Sequence, residues 1–308
     1  MQRLDGGAAV PEHLAGGVVA LGNFDGFHLG HQAVVGRAVA RARAEGRPAL
    51  VATFDPHPVR YFKPDLPPFR LTTLDQRARS FAAAGADATV VFRFDDALAS
   101  LDAEAFVRER LVGALRVGGV VTGEDFTFGA RRSGNVGVLR ALGEAAGFSV
   151  ETVGPVALAG GAVSSSRIRE ALRGGDPETA AGLLTRPFAI EGVIRHGDKV
   201  GRTIGYPTAN IDLGDYLRPA YGVYAVRGRL ADGRVLGGAA NLGVRPMFDP
   251  PKELLEAYFF DFDEDLYGQV VEVALVAFLR GEGRFDGLDA MVRQMDADCA
   301  RARELLAR

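Results

Sequence analysis

Lysine is nearly absent from this chain. Lys63, Lys199 and Lys252 are the three present, which leaves 33 of the 36 basic residues as arginine. None of the three follows a glycine and precedes Ser or Thr. That excludes a phosphate loop of the G-x-x-x-x-G-K-[ST] kind. Tryptophan is missing altogether, and Cys299 is the single cysteine. One cysteine rules out an internal disulfide and any Cys-x-x-Cys metal or redox site. No uninterrupted apolar run approaches the ~18 residues of a membrane span. Met1 to Leu14 carries Arg3, Asp5 and Glu12 and has no signal-peptide core. The net charge of −3 gives no electrostatic case for nucleic acid or an anionic membrane. The expected location is the cytoplasm. A nucleotide-handling protein of this composition must hold phosphate by some means other than a phosphate loop.

The 308 residues are enough for two domains. Up to about residue 185, apolar runs at Val18–Leu21, Ala49–Phe54, Ala88–Phe92, Gly119–Thr122 and Phe148–Val153 alternate with helical patterns near 30–45, 74–85, 102–114, 135–146 and 166–173. Continuous apolar strands separated by helices predict a doubly wound α/β parallel sheet. Gly174 to Pro177 opens a short helical link, which Thr185-Arg186-Pro187 closes. Strand-like segments then follow one another without helices: Phe188–Arg195, Tyr206–Ile211, Gly222–Leu230, Val235–Asn241, Leu254–Phe262 and Val270–Arg280. These predict an antiparallel β-barrel or sandwich. Leu288, Met291, Val292, Met295, Cys299, Ala302, Leu305 and Leu306 recur at helical spacing and predict a C-terminal helix. Cys299 on that stripe reads as a buried structural thiol. The expected domains are 1–185 and 186–308.

The first apolar strand runs into Gly22-Asn23-Phe24-Asp25-Gly26-Phe27-His28-Leu29-Gly30-His31, where a helix begins. A glycine-rich turn after the first strand of an open α/β sheet, with a helix N-terminus behind it, suits phosphate. His28 and His31, one turn apart, can donate hydrogen bonds to phosphate oxygens. A zinc pair and a plain structural role are the competing readings. Thr53-Phe54-Asp55-Pro56-His57-Pro58 puts a polar cluster at the next strand's end, or is simply a turn built on two prolines. Gly123-Glu124-Asp125-Phe126-Thr127-Phe128-Gly129 offers a carboxylate and aromatics for a ribose or a planar ring; core packing is the alternative for the phenylalanines. Ser164-Ser165-Ser166-Arg167-Ile168-Arg169 supplies helix caps, or hydroxyls and guanidinium groups for phosphate.

His-Leu-Gly-His in this context resembles the H-x-G-H signature of nucleotidyltransferases. The ordered set of four motifs is similar to that of the bacterial bifunctional riboflavin kinase/FMN adenylyltransferases (FAD synthetases). The second half agrees: Gly201 to Asn210, Asn241-Leu242-Gly243-Val244-Arg245-Pro246 and Asp261-Phe262-x-x-x-Leu266-Tyr267-Gly268 are similar to the riboflavin kinase signatures. The likeness runs from about residue 17 to the end.

The resemblance implies a Rossmann-like nucleotidyltransferase domain followed by a kinase barrel. It implies Glu256 as general base, and Thr208 and Asn210 as neutral oxygen donors for Mg²⁺. Gly22, Asn23, Asp25, Gly30, Ser164, Ser165, Arg167, Arg169, Gly197, Gly201 and Gly205 would contact nucleotide or phosphate. Asp55, His57, Asp125, Phe126, Phe128, Asn241 and Arg245 would contact flavin. The implied small molecules are riboflavin, FMN, FAD and ATP, handled by a monomer or weak homo-oligomer with no nucleic-acid or membrane partner. Two positions depart from the usual pattern. Ser166 stands where Thr is usual, which keeps a hydroxyl, and Met247 stands where Arg-Pro-Thr-Phe is usual, which removes one. A transferase for another phosphate acceptor and a flavin-binding sensor with decayed catalysis are the rival functions.

Overall fold

The computed structural model describes residues 1–158, 160–196, 205–245 and 252–307. The chain forms two compact units: Met1–Leu66 with Thr73–Val163, and Pro67–Thr72 with Ser164–Arg308.

The first unit is built on six strands: β1 (Gln2–Asp5), β2 (Val18–Leu21), β3 (Ala49–Asp55), β4 (Ala88–Arg93), β5 (Gly119–Gly123) and β6 (Ser149–Val153). They lie in the order β1-β4-β3-β2-β5-β6, and every pair is parallel. The apolar runs are strands because both faces are covered. Val18 and Ala20 point into a core with Val35, Val39, Val51 and Phe81. Val19 and Leu21 point the other way, toward Leu50, Phe92, Leu111 and Leu139. The principal helices are α1 (Leu29–Ala44), α2 (Pro58–Phe62), α3 (Leu74–Ala83) and α4 (Val136–Ala146). A capping box of Thr73 and Gln76 starts α3.

Two features differ from the sequence expectation. β1 is an edge strand whose residues are exposed and polar except for the half-buried Leu4, so it has no apolar period to betray it. The helix expected over 102–114 is α-helical at Ala103–Phe106 and continues as a wider π-type turn over Val107–Ala114.

In the second unit, α5 (Ser165–Arg173) and α6 (Pro177–Leu184) precede strands β7 (Phe188–Val193), β8 (Ala209–Asp212), β9 (Gly222–Arg229), β10 (Val235–Arg245), β11 (Lys252–Phe259) and β12 (Val270–Gly281). Their order is β7-β12-β9-β10-β11-β8, antiparallel throughout. The sheet curls so that Arg195, just past β7, bridges back to Asn210 on β8, with the Arg195 N–H donating to the Asn210 carbonyl at 2.9 Å. The result is a nearly closed barrel, which leaves little exposed edge. A final helix, α7 (Leu288–Leu306), covers the outer face of β9, β10 and β12. Alanines at 225, 239 and 277 let it approach closely, and Ala302, Cys299 and Leu305 fill the contact. Asp298 of α7 is buried but paired: Arg280 donates to it from Nε at 3.0 Å and from Nη2 at 2.7 Å, and Gln294 donates at 2.9 Å.

Candidate active sites

In the first unit the strand order reverses at β2, which has β3 on one side and β5 on the other. Ligands of open α/β sheets bind in the crevice beyond such a switch point, at the carboxyl ends of the strands. The Gly22–His31 segment leaves β2 there, and Gly123–Phe128 leaves β5 beside it. The buried Thr122 hydroxyl donates to the Leu21 carbonyl at 3.0 Å and locks the two ends together.

The turn itself is strained. Phe24 and Phe27, neither a glycine, have φ of 52° and 47°. Each costs about 1–3 kcal/mol that the surroundings must offset. Burial does so: both rings are almost fully buried and sit edge-on against Phe81 of α3, at 5.7 and 5.2 Å. Asp25 is buried as well, at 4 % exposure. The Asn23 carbonyl accepts from Thr53 Oγ1 at 2.8 Å and from Arg77 Nη1 at 2.9 Å. Its side-chain Oδ1 is buried with no hydrogen-bond donor among the described residues.

His28 caps α1, its Nδ1 accepting from the His31 N–H at 3.4 Å. An accepting Nδ1 places the proton of the neutral ring on Nε2, which makes that nitrogen the donor. The two imidazoles stack at 3.6 Å, tilted by 18°. Gly30 leaves room for the His28 ring: a Cβ at that position would lie 3.2 Å from it, tight enough that the ring would have to shift.

At the end of β3, His57 caps α2 in the same manner, Nδ1 accepting from Val59 N at 3.1 Å, and Asp55 lies 3.5 Å from Arg77 Nη2. After β5, Asp125 is exposed and Phe126 half-buried. Phe128 is buried against Phe106 and stacks beneath Phe126 at 5.6 Å, so it supports Phe126 from the core side.

Ser164, Ser165, Arg167 and Arg169 start α5 in the second compact unit, whereas the two histidines belong to the first. Ser164 Oγ accepts from Arg167 N at 3.2 Å as an N-cap. Arg169 donates to the Phe69 carbonyl at 2.8 Å and lies over the Phe69 ring.

The barrel assembles its residues by strand register. Asn210 on β8 is paired with Glu256 on β11, which is paired with Asn241 on β10. Directly opposed residues on neighbouring strands share a face, so these three form one row. Asn210 is buried, and Glu256 and Asn241 are half-buried. Asn210 Nδ2 donates to the Thr208 carbonyl at 3.4 Å. Gly205 takes φ of 85°, a left-handed turn entering this segment. Gly197, Gly201 and Met247 lie outside the described residues, as does the side chain of Arg245.

The segment is tied down from the C-terminal helix. Tyr206 donates its hydroxyl to Asp296 of α7 and packs edge-on against Tyr258, two residues from Glu256 on the same strand face. Burial, reinforced by the bond to Asp296, pushes the Tyr206 hydroxyl well above its ordinary pKa. Cys299, nearby on α7, is half-buried, and burial pushes its thiol up to about 11, which agrees with a structural role.

Three groups escaped the sequence reading. Tyr206 and Asp296 have no local pattern linking them. Arg77 had a signal: it sits four residues before Phe81, on the buried face of α3. A charged residue on that face is unusual and points to a polar network beneath it.

The first unit offers a switch-point turn bearing H-x-G-H, and the second, taken by itself, a barrel row of one carboxylate between two amides; both are sets of groups that phosphoryl and nucleotidyl transfer can use. The comparisons with known proteins agree. The FAD synthetase family matches residues 10–167, and the riboflavin kinase family matches residues 184–306. The bifunctional riboflavin kinase/FMN adenylyltransferase of Haemophilus influenzae is 39 % identical over 290 residues, 94 % of each chain. The Pseudomonas fluorescens protein of that name is 41 % identical over 298 residues, 96 % of this chain and 95 % of its own. A Streptococcus pneumoniae crystal structure described as a macrolide-efflux protein superposes with a TM-score of 0.88 at 31 % identity, covering 98 % of this chain and 99 % of that one. No helix among the described residues is long and apolar enough to cross a membrane.

The chain belongs to the bifunctional riboflavin kinase/FMN adenylyltransferase family. It carries a FAD synthetase domain and a riboflavin kinase domain.

Proposed function

We propose that the two activities run at separate sites, with the adenylyltransferase domain over 1–185 and the kinase domain over 186–308. The chain phosphorylates riboflavin with ATP to give FMN, and it adenylates FMN to give FAD and pyrophosphate. The observation that carries the residue assignment is the row Asn210–Glu256–Asn241 across three neighbouring strands.

In the kinase reaction Glu256 accepts the proton of the riboflavin primary hydroxyl as its oxygen bonds to the γ-phosphorus, and the bond to the β-phosphate breaks to release ADP. Asn241 and Arg245 hold the flavin. Gly197, Gly201 and Gly205 let backbone approach the nucleotide. Thr208 and Asn210 would hold Mg²⁺. Their neutral oxygens suit a hard cation that would take its other ligands from phosphate, and the Asn210 amide, buried beside Thr208, donates through Nδ2 so that its oxygen is the acceptor of the pair. Bound there, Mg²⁺ would neutralise phosphate charge as it develops.

The adenylyl reaction needs no base, because its nucleophile, the FMN phosphate, is ionised at neutral pH. A phosphate oxygen bonds to the α-phosphorus of ATP and pyrophosphate leaves. Positioning and positive donors carry the rate. His28, through Nε2–H, and His31 act on the phosphate oxygens. Gly22, Asn23, Asp25 and Gly30 shape the turn around the triphosphate, with Ser164, Ser165, Arg167 and Arg169 as further phosphate groups. Asp55, His57, Asp125 and Phe126 contact the flavin, with Phe128 behind them. Balanced charge and small-molecule chemistry fit a cytoplasmic enzyme acting as a monomer or weak homo-oligomer.

Purified protein incubated with riboflavin, ATP and Mg²⁺ is expected to yield FMN and then FAD. Absence of both products would refute the assignment. FMN formed but refused as adenylyl acceptor, with another phosphate accepted instead, would favour the broader nucleotidyltransferase reading.

A further inference from the structure

Helix α3 lies outside every motif, yet it grips the His-x-Gly-His turn at two points one helical turn apart. Arg77 is 4 % exposed and reaches both strand ends at once. Its Nη1 donates to the Asn23 carbonyl at 2.9 Å and to Thr53 Oγ1 at 2.9 Å, and Nη2 lies 3.5 Å from Asp55. Thr53 Oγ1 itself donates to the Asn23 carbonyl at 2.8 Å, which closes a triangle of polar contacts beneath the turn. Four residues on, Phe81 is fully buried against the rings of Phe24 and Phe27, the two residues with positive φ. Phe24 in turn meets His31 edge-on at 5.3 Å, and His31 stacks on His28. A continuous chain of contacts therefore runs from α3 to both imidazoles.

We propose that Arg77 is a positioning residue for adenylyl transfer: with Phe81, it holds the Gly22–His31 turn in the strained shape that aims His28 and His31. The proposal rests on the reading of that turn as the adenylyl-transfer site. The rigid guanidinium fork matters more than the charge, because three acceptors in different directions are met by one side chain.

The test compares Arg77→Met, Arg77→Lys, Phe81→Leu, His28→Ala and the double variant His28→Ala/Arg77→Met, with FAD formation from FMN and FMN formation from riboflavin measured on each. Arg77→Met is expected to lower kcat for FAD formation about 100-fold, with KM for FMN and ATP within about threefold of the parent. FMN formation by the same protein should hold, and Arg77→Lys should recover part of the loss. The double variant should be no worse than His28→Ala, since a positioning residue has nothing left to position. Parental kcat in Arg77→Met, additive losses in the double variant, or parallel loss of FMN formation would each overturn the proposal. Should Arg77→Met not fold, Arg77→Lys and Phe81→Leu decide: a lowered kcat at unchanged KM supports the proposal, and parental kcat in both overturns it. If His28→Ala keeps FAD formation, the reading of the turn fails. If His28→Ala abolishes it and the α3 variants do not, the positioning role alone fails.

Discussion

The α/β sheet holds its candidate groups on turns and helix starts beyond the strands, whereas the barrel holds its own within and between strands. In the first unit, Asn23, His28, His57 and Asp125 each lie just past the carboxyl end of a strand. Their geometry is set by caps, by two left-handed phenylalanines and by packing from α3. In the second, Asn210, Glu256 and Asn241 are aligned by ladder register, and a slip of one residue would send every member to the opposite face. The first arrangement stores strain and needs support from outside the turn. The second needs a rigid ladder and a covered outer face, which α7 provides. Among the described residues the candidate groups of both units are amide, hydroxyl, imidazole, carboxylate and guanidinium groups, with no lysine.

This contrast can be broken by mutation. Asn210→Ala should reduce FMN formation by about 100-fold and leave FAD formation from supplied FMN intact; comparable loss of both activities would mean that the barrel row is not a separate site. Tyr206→Phe probes the brace between α7 and the Thr208–Asn210 segment. It removes one hydroxyl, and a loss of about three- to tenfold in kinase kcat/KM is expected, measured by steady-state kinetics with adenylyl transfer as the internal control.

Legibility in the sequence followed the same division. The turn at Gly22–His31 is one contiguous string, and a helix start after an apolar strand told its place in the sheet. Apolar continuity gave the four inner parallel strands by their burial on both faces and the half-buried edge strand β6 beside them, while β1, mostly polar and at the other edge, carried no such signal. The barrel residues are distant in sequence. The alternation of an extended strand puts Glu256 and Tyr258 on one face, but the pairing of Glu256 with Asn210 and Asn241 depends on register, which a single strand's pattern does not encode. Arg77 and the Tyr206–Asp296 bond were hidden because each links elements that no local period connects. The two compact units part at Val163 and Ser164, earlier than the change of pattern near residue 185, because α5 and α6 pack with the barrel unit although they follow the α/β alternation in sequence.

A smaller effect sharpens the picture of the barrel rim. Tyr221 donates to Glu253, which Arg218 also holds at 2.8 Å. Burial, followed by the bond to Glu253, pushes Tyr221 from 10.0 up to about 12. A hydroxyl whose pKa is raised on folding contributes stability that is fully present below about pH 10 and is lost as pH rises through about 12. Tyr221→Phe should therefore lower Tm at pH 8 by about 2–4 °C and remove that part of the alkaline decline. An unchanged alkaline profile in a thermal melt series would contradict the sign.

The most direct measurement assays two proteins, His28→Ala and Glu256→Ala, for each half-reaction separately. Two independent sites predict that His28→Ala loses FAD formation from FMN and keeps FMN formation from riboflavin. Glu256→Ala should lose FMN formation and keep FAD formation when FMN is supplied. Equal loss of both activities in either protein would contradict the two-site assignment.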